Sequence, residues 1–308
     1  GAHMVISGFE ELKGRLGDIS PVPAVVAAAN DRHTLQAVFA ASRDGVIRPI
    51  LVGERTGLND LARELGHPLS PEQIVDGDGP EDCASKAVAL IRQGRGRMLV
   101  KGMLPTRTML RAVVDHETGI RTGELMSHVA VLDVPSYPKL IFDTDGGMNV
   151  APSLAEKGHI LDNALQLCRF LGYDCPKVGV LCAVETVSPN MPETQDAAAL
   201  KAEAQTGRFG SCLVEGPISL DLALDPQAAI EKDFHSPVAG DADILLCPSI
   251  AVGNVLGKAL YGPAGGQMAG VVMGASVPVV VNSRGATAQE KYWSLLLCAA
   301  LADRKEVQ

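Results

Sequence analysis

The sequence predicts an α/β protein with mainly parallel sheets and two domains. Short apolar runs rich in β-branched residues alternate with stretches of helical periodicity along the chain, which is typical of a parallel sheet with connecting helices. At 308 residues, the chain is long for a single hydrophobic core. Its composition, 46% hydrophobic and 20% charged residues, is that of an ordinary globular protein.

The first half of the chain shows the alternation most plainly. VPAVVAAA, residues 22–29, predicts a buried strand, and the helix after it begins at a capping Asp31 and ends at Gly45. SHVAVLDVP and PKLIFDTDG lie too close together for a helix between them, so they predict an antiparallel pair. The strand and helix signals between these two regions are, in order, IRPILVG, LARELG, GPEDCASKAVALIRQG, RMLVKG and LPTRTMLRAVVDHETG.

A loop rich in glycine and aspartate divides the chain near its middle. We expect this loop, DTDGGMNVAP at 143–152, to be the crossing between the two domains. The alternation resumes after it and ends with a strand-like run, AGVVMGASVPVVV, and a helix-forming run, SLLLCAALA. The leading GAHM, residues 1–4, is typical of a vector-derived tag remnant, so no role in the fold or the site is expected for it.

Charge, cysteine usage and hydropathy exclude several classes of protein. The formal net charge is −9 and there is no run of Lys or Arg, which argues against a general nucleic-acid binder. The seven cysteines form no CxxC pair, which favours free thiols over a disulfide framework or a zinc site. No signal-like segment follows GAHM, and every apolar run is too short or too interrupted to span a bilayer. We therefore expect a cytoplasmic protein that binds neither nucleic acid nor membrane.

Phosphate-binding loops are the next feature, because ligands of open α/β sheets bind where helix N-termini follow the carboxyl ends of strands. GNVLGKA at 253–259 lacks the spacing and the Ser or Thr of a Walker loop. GDGPED at 77–82 lacks the third glycine of a dinucleotide-binding fingerprint. Neither segment therefore predicts bound ATP or NAD.

Two other strand–turn–helix segments have the composition of a phosphate site. SRG at 283–285 follows an apolar run and opens a helix, and KGMLPTRTMLR at 101–111 has the same layout. Arg284 and Arg111 would each present a planar guanidinium fork to a dianion, which a helix N-terminus also attracts. A surface ion pair is the alternative for either arginine, and the sequence leaves it open.

Longer segments are informative when they are taken together and in order: LVKGMLPTRTMLRAVV, SHVAVLDVPSYPKLIFDTDGGMNVAPSLAEKGHILDNA, PKVGVLCAVE, EGPISLDLAL, SPVAGDADILLCPSIAVGN and PVVVNSRGATAQEK. Through these segments the chain resembles the phosphate acetyl/butyryltransferase family over nearly everything after GAHM. The SHVAVLDVP and EGPISLDLAL segments resemble the butyryl branch more than the acetyl branch.

The resemblance implies a two-domain α/β/α fold like that of the isocitrate/isopropylmalate dehydrogenases, with a cleft between the domains and a homodimer. The first domain would be discontinuous and comprise residues 5–143 and 276–308, and the second would comprise residues 144–275. The implied reaction converts acyl-CoA and phosphate to acyl phosphate and CoA. It is reversible and passes through no acyl-enzyme. Coenzyme A is then a substrate or product, and no bound cofactor is expected.

The resemblance also assigns roles to particular residues. Ser283 and Arg284 fall at the family's acyl/phosphate site, and Arg111 falls on its second phosphate-site arginine. The family's proposed base, an acid in the first turn of the last helix, falls on Glu290. The acetyl branch commonly has Asp there and Cys shortly after the glycine of the SRG turn. This chain has Glu290 and Ala286, so no role for that cysteine carries over.

Four further residues are weaker candidates. Lys101 and Thr106 are placed to reach a bound phosphate, although the sequence equally fits other roles. Gly285 offers a backbone N–H in the turn, where an oxyanion would need a donor. Asn254, in the GN dipeptide, fits either a substrate contact or a turn.

Glu290 has two interpretations that do not exclude each other. A CoA thiol with a pKa of about 8.5 must lose its proton to attack an acyl phosphate, so a carboxylate here fits a general base. Thr287 and Glu290 also have capping-box spacing, so the acid fits the closure of a helix N-terminus. This chemistry requires no metal. Asp143 and Asp145, in a glycine-rich segment, fit solvated or Asx-turn roles better than metal ligands.

Two rival functions belong to other classes. The first is a metal- and NAD-dependent decarboxylating oxidoreductase of the same fold, which would need acidic ligands grouped around the cleft. The second is a non-catalytic module that senses acyl-CoA or acyl phosphate. The intact run from the SRG turn to Glu290 argues against a silent module.

Overall fold

A computed structural model describes residues 6–15, 20–283 and 285–305. The strands are β1 (Val22–Ala27), β2 (Ile47–Gly53), β3 (Ile74–Asp76), β4 (Met98–Lys101), β5 (Ser127–Asp133), β6 (Ile141–Thr144), β7 (Lys177–Leu181), β8 (Leu213–Ile218), β9 (Ile244–Leu246), β10 (Gln267–Met273) and β11 (Val279–Val280). The α-helices are α1 (Phe9–Arg15), α2 (Arg32–Arg43), α3 (Arg55–Glu64), α4 (Gly79–Arg92), α5 (Thr106–Val114), α6 (Leu154–Phe170), α7 (Pro192–Gln205), α8 (Leu220–Leu224), α9 (Pro226–Glu231), α10 (Ile250–Tyr261) and α11 (Ala288–Lys305).

The chain folds into two compact units. The central unit comprises Leu125–Met268 and the N-terminal segment that ends at Leu12. The flanking unit comprises Lys13–Glu124 and the C-terminal segment that starts at Ala269. Both are mixed α/β structures with mostly parallel strands, as the alternation of the sequence predicts.

In the flanking unit, the strand order is β3-β2-β1-β4-β11-β10. The pairs from β3 through β11 are parallel, and β10 is antiparallel to β11. β1 reads as a nearly continuous apolar run, which is typical of a central parallel strand covered on both faces. Helix α2 packs against α11, and α4 packs against α5.

In the central unit, the strand order is β5-β6-β9-β7-β8. The predicted antiparallel pair of SHVAVLDVP and PKLIFDTDG is confirmed, because β5 and β6 pair antiparallel. The other pairs, β6 with β9, β9 with β7 and β7 with β8, are parallel. Apolar side chains such as Leu132, Ile141 and Leu245 are buried together in a core beneath this sheet.

Local capping explains where several helices begin. Asp31 accepts a 3.0 Å hydrogen bond from the N–H of Thr34, which confirms it as the cap of α2, and Gly45 follows the helix with a positive φ of 74°. Ser153 and Glu156 form a reciprocal capping box at the start of α6. These contacts satisfy N–H groups that a helix start otherwise leaves unpaired.

The boundary between the units differs from the expected one. The sequence placed the crossing into the second domain at 143–152, whereas the structure places it between Glu124 and Leu125. Strand pairing is the reason: β5 pairs with β6, and β6 pairs with β9, so β5 belongs with the strands that follow it. An earlier crossing, between Leu12 and Lys13, was not predicted. The return crossing lies at Met268 within β10 rather than at residue 275.

The run AGVVMGASVPVVV is two strands rather than one. β10 ends at Met273, β11 begins at Val279, and the two pair antiparallel through Val272 and Val279. Gly274, with a positive φ of 102°, begins the reversal between them. Among the helices of the described residues, none is long and apolar enough to cross a bilayer.

Candidate active site

Two strand ends of the flanking unit lie side by side and carry the predicted phosphate segments. β4 and β11 are parallel neighbours, with Leu99 opposite Val279 and Val100 opposite Val280. α5 follows β4 and α11 follows β11. Because parallel strands present their carboxyl ends at one edge of a sheet, both helices begin at the same edge. The strand–turn–helix layout that the sequence predicted for both segments is confirmed.

The SRG segment lies between β11 and α11, and Ser283 and Gly285 are its described residues. The carbonyl oxygen of Ser283 accepts a 3.0 Å hydrogen bond from the N–H of Ala286. Ser283 and Gly285 are exposed, and a Cβ placed on Gly285 would meet nothing within 4 Å. Arg284, predicted to bind phosphate, lies outside the described residues.

Glu290 is buried at the start of α11, with 4% of its surface exposed. Its backbone N–H donates a 3.1 Å hydrogen bond to Oγ1 of Thr287, so Thr287 caps the helix. Its carboxylate has a different partner, because Oε2 accepts a 2.8 Å hydrogen bond from Nδ2 of Asn282. The capping box is therefore only half present among the described residues. Thr287 performs its part, and the side chain of Glu290 is directed to Asn282.

Burial raises the pKa of Glu290 above the ordinary value of a glutamate. The hydrogen bond from Asn282 and the positive charge of Lys291 each act to lower that pKa, but burial dominates. Lys291 is itself buried, with 6% of its surface exposed. A carboxylate with a raised pKa holds a proton more tightly, so this geometry suits proton transfer better than an exposed glutamate would.

Lys101 fixes the two strand ends to each other. It ends β4, is 4% exposed, and its Nζ donates to the carbonyl oxygen of Asn282 at 3.1 Å. A second, longer contact of 3.4 Å joins Nζ to the carbonyl oxygen of Gly102. The ammonium therefore lies at the predicted edge, but the structure directs it to backbone carbonyls, a role that the sequence did not suggest.

Thr106 and Arg111 occupy different positions on helix α5. Thr106 is the exposed first residue of the helix, and the N-cap before it, Pro105, makes no side-chain capping bond. Arg111 is exposed five positions further on, on the side of the helix opposite the buried Met109 and Val113. Arg111 forms no ion pair with any residue that the structure describes, so nothing there supports a surface ion pair. It also forms no hydrogen bond with Ser283 or Gly285, the described residues of the SRG segment.

Asn254 belongs to the central unit and is not in a turn. The GN dipeptide lies inside α10, so the turn that the sequence suggested is wrong; an N-cap at Ser249 starts a helix that runs through it. Nδ2 of Asn254 donates a 3.3 Å hydrogen bond to the carbonyl oxygen of Gly146. Asn254 thus helps to fix the loop after β6.

Asp143 in β6 and Asp145 in the loop after it have separate structural roles. Asp145 accepts hydrogen bonds from the N–H groups of Gly147 at 2.7 Å and Met148 at 2.9 Å, which confirms the Asx-turn interpretation. For Asp143 the expectation is wrong, because it lies within β6, is 1% exposed, and accepts a 3.2 Å hydrogen bond from the thiol of Cys247. Within the described part of the chain, no group of three or more His, Cys, Asp or Glu side chains is placed to hold a metal ion.

Asn282 and Ser294 were missed by the sequence analysis, although both contact Glu290. Nδ2 of Asn282 lies 2.8 Å from Oε2 of Glu290, and the hydroxyl of Ser294 donates to the carbonyl oxygen of Glu290 at 2.9 Å. A usable signal existed for Asn282, since a polar residue directly follows the valine run and precedes the SRG turn. No such signal pointed to Ser294, because a single serine in a long apolar helix belongs to no distinguishing sequence pattern.

Comparison with known proteins identifies the family of the chain. The family model described as "Phosphate acetyl/butaryl transferase" matches residues 79–299. The phosphate butyryltransferase of Clostridium acetobutylicum is 37% identical over 301 residues, which cover 98% of this chain and 100% of that protein. The phosphate acetyltransferase of Thermotoga maritima is 36% identical over 277 residues, which cover 90% of this chain and 94% of that protein.

A solved structure agrees with the sequence matches. The crystal structure of a branched-chain phosphotransacylase from Enterococcus faecalis V583 superposes with a TM-score of 0.79 and 29% identity, covering 91% of this chain and 99% of that chain. The family model and these relatives define an α/β enzyme of the acyltransferase class. The chain belongs to the phosphate acetyl/butyryl transferase family.

Proposed function

We propose that this protein transfers a short acyl group reversibly between coenzyme A and inorganic phosphate, in a ternary complex at the carboxyl edge of β4 and β11. One observation carries the proposal: the family match spans 79–299 and so includes both strand ends, the SRG turn and Glu290. Relatives of similar length named phosphate butyryltransferase and phosphate acetyltransferase support the same activity.

In the direction of acyl-CoA synthesis, Glu290 acts as the general base. Its carboxylate takes the proton of the CoA thiol, and the thiolate attacks the carbonyl carbon of the acyl phosphate. The carbon–sulfur bond forms, the carbon–oxygen bond to phosphate breaks, and inorganic phosphate leaves with the electron pair. The raised pKa of Glu290 brings it nearer to that of a thiol, which favours this proton transfer. In the reverse direction Glu290 returns the proton to the leaving thiolate.

The turn itself stabilises charge that develops on the acyl group. Ser283 and the N–H of Gly285 are exposed at the start of α11, where donors can reach the oxyanion of a tetrahedral intermediate. Because a preformed donor does not need to reorganise during the reaction, such groups contribute strongly to the rate. Arg284 completes this part of the proposal, as the family resemblance assigns it to the acyl/phosphate site.

The phosphate is held by the second segment. The start of α5 offers backbone N–H groups that its N-cap, Pro105, leaves without a side-chain acceptor, and Thr106 adds a hydroxyl. Arg111 supplies a guanidinium with no ion-pair partner among the described residues, and the ammonium of Lys101 adds positive charge at the same edge. Asn254, on the central unit, contributes to substrate binding through the loop that it holds.

Several finer features belong to the same proposal. We infer a fold relationship to the isocitrate/isopropylmalate dehydrogenases, a catalytic cleft between the two units, a cytoplasmic location, and coenzyme A as substrate rather than resident cofactor. We also infer a homodimer. Val150 and Val255 expose 68% and 67% of their surfaces, and Val150 accepts a backbone hydrogen bond from the first residue of α10, which supports an apolar contact surface there. Sedimentation of Val255→Asp against the unmodified protein tests the dimer.

The rival functions are not favoured. Neither the family nor the named relatives are oxidoreductases. An oxidoreductase predicts a higher melting temperature with a nicotinamide cofactor, and the transferase predicts no change. A sensing module predicts binding of acyl-CoA without turnover.

The deciding experiment is thiol release from acetyl-, propionyl- and butyryl-CoA, each with and without phosphate. The proposal predicts release that depends on phosphate and yields acyl phosphate. Release without phosphate would indicate a thioesterase, and no release with any acyl-CoA would support a sensing module.

A further inference from the structure

The candidate base, Glu290, is hydrogen-bonded to the buried side-chain amide of Asn282. Asn282 lies two residues after β11, and only 5% of its surface is exposed. Its Nδ2 donates to Oε2 of Glu290 at 2.8 Å and lies 3.3 Å from Oγ of Ser294. Among the described residues, no other side chain donates a hydrogen bond to the Glu290 carboxylate.

The backbone of Asn282 is held as firmly as its side chain. Its carbonyl oxygen accepts the 3.1 Å hydrogen bond from Nζ of Lys101, which ends the neighbouring strand β4. Ser294, fully buried one helical turn after Glu290, accepts from the N–H of Gly270 and donates to the carbonyl oxygen of Glu290. The amide therefore has little freedom to rotate away from the carboxylate.

We propose that Asn282 is the positioning residue of Glu290. Its amide occupies Oε2 of the carboxylate and so leaves Oε1 as the oxygen that takes the thiol proton. The inference rests on the proposed function, because it concerns the base of that reaction. An amide suits this task because it donates without ever carrying charge, and it keeps the ionised form of a buried carboxylate accessible.

Among the described residues, the charged group that acts on Glu290 is Lys291, which follows it directly on α11. Asp31, the N-cap of α2, acts on Lys291, and Lys101 of β4 contacts the carbonyl oxygen of Asn282. The described residues of β1 and β11 contribute only apolar side chains and one proline. The hydrogen bond from Asn282 lowers the pKa of Glu290. Replacing Asn282 removes that hydrogen bond, so the pKa of Glu290 should rise further.

The experiment compares Asn282→Asp with the unmodified protein in the synthesis of acyl-CoA from acyl phosphate across pH. Aspartate keeps the shape of asparagine, removes the donor and adds a negative charge. We expect the rate at neutral pH to fall at least ~10-fold. We expect the acidic limb of the pH profile to move to higher pH, so that activity recovers partly under alkaline conditions. Asn59→Asp makes the same chemical change on α3, which follows β2, a strand separated from β4 by β1. This control should leave rate and profile unchanged.

A second comparison separates positioning from a general structural role. Introduced into Glu290→Gln, the Asn282→Asp change should cause almost no further loss, because the carboxylate that it positions is gone. An equal fold loss in both backgrounds, or an unshifted pH profile with a normal rate, would overturn the inference. If Asn282→Asp does not fold, Asn282→Ala is measured in the same way. If neither variant folds, Asn282 is a structural residue and the positioning role is rejected.

Failure of the inference is distinguishable from failure of the proposed function. If the unmodified protein shows no thiol release that depends on phosphate, the proposed function fails before Asn282 is tested. If the unmodified protein shows thiol release that depends on phosphate, and Asn282→Asp has the same rate and pH profile as the unmodified protein, only the inference about Asn282 fails.

Discussion

The hydroxyl of Ser294 accepts a 2.9 Å hydrogen bond from the backbone N–H of Gly270. This contact joins α11 to β10, two elements that follow each other with only β11 between them. The same hydroxyl donates to the carbonyl oxygen of Glu290 at 2.9 Å. Since the serine is fully buried, no water replaces these partners when one is lost.

Ser294→Ala should therefore destabilise the protein. The change leaves the N–H of Gly270 buried without an acceptor, which typically costs about 1–3 kcal/mol. The free energy of unfolding in urea measures the effect. Ser85→Ala, at an exposed position of α4, is the matched control and should change stability by no more than ~0.5 kcal/mol. Equal effects of the two substitutions would show that the Ser294 contact contributes nothing.

Arg111→Ala should weaken phosphate binding while leaving the fold intact, because the side chain is exposed and has no ion pair among the described residues. We expect the KM for phosphate to rise at least ~10-fold, a loss of ~1.4 kcal/mol. Arg111→Lys should rescue binding only in part, because an ammonium cannot reproduce a bidentate fork.

Arg48→Ala is the control for Arg111. Arg48 is also an exposed arginine of the flanking unit, but it lies at the amino end of β2, away from the edge that carries the site. Steady-state kinetics at varied phosphate should show no change for Arg48→Ala. A full phosphate affinity in Arg111→Lys would contradict the bidentate cradle.

Asp143 should make stability depend on pH in a definite direction. Burial, and to a smaller degree the charge of Asp145, raise its pKa to about 7 from 3.8, against the opposing hydrogen bond from Cys247. Between these two values the folded protein holds a proton that the unfolded chain has released. The free energy of unfolding therefore falls as pH rises through this window.

Asp143→Asn lacks this titration, so it isolates the effect. The unfolding free energy of the unmodified protein minus that of Asp143→Asn should decrease by more than ~1 kcal/mol between about pH 5 and about pH 8. Urea unfolding at both pH values gives this difference. Any constant packing penalty of the asparagine cancels, and a difference that does not change with pH would contradict a raised pKa at Asp143.

Acyl-chain selectivity should be modest. One methylene in an apolar pocket is worth about 1–3 kcal/mol, so kcat/KM for propionyl- or butyryl-CoA should be at least comparable to that for acetyl-CoA. The comparison with the butyryl branch motivates this direction. A preference for acetyl-CoA by several orders of magnitude in the same assay would contradict it.

The sequence was sufficient for the parts of the fold that local patterns determine. The cap at Asp31, the antiparallel pair β5 and β6, and the strand–turn–helix at the SRG segment follow from short-range signals that the structure reproduces. The unit boundary after Glu124 could not be predicted from the sequence, because it depends on which strands β5 pairs with. Likewise, the split of AGVVMGASVPVVV depends on a turn inside a run of uniform hydropathy.

The candidate site was predictable in kind but not in its connections. Glu290 could be chosen because an acid follows the SRG turn at helical spacing, but its partner could not. Asn282 reaches it only because α11 folds back over the end of β11. Lys101 is a similar case. The sequence suggested a phosphate ligand but not the contact that the pairing of β4 with β11 creates, a backbone carbonyl 3.1 Å from its ammonium.

The central claim is that Glu290 is the general base, and Glu290→Gln tests it most directly. Glutamine still accepts the hydrogen bond from Asn282, so folding and phosphate affinity should be nearly unchanged. An amide cannot take the thiol proton, so the rate of acyl-CoA formation from acyl phosphate at neutral pH should fall by about 10²–10⁴-fold. The loss should shrink as pH approaches the thiol pKa of about 8.5, where free thiolate needs no base. Near-normal turnover by folded Glu290→Gln at neutral pH would contradict the account.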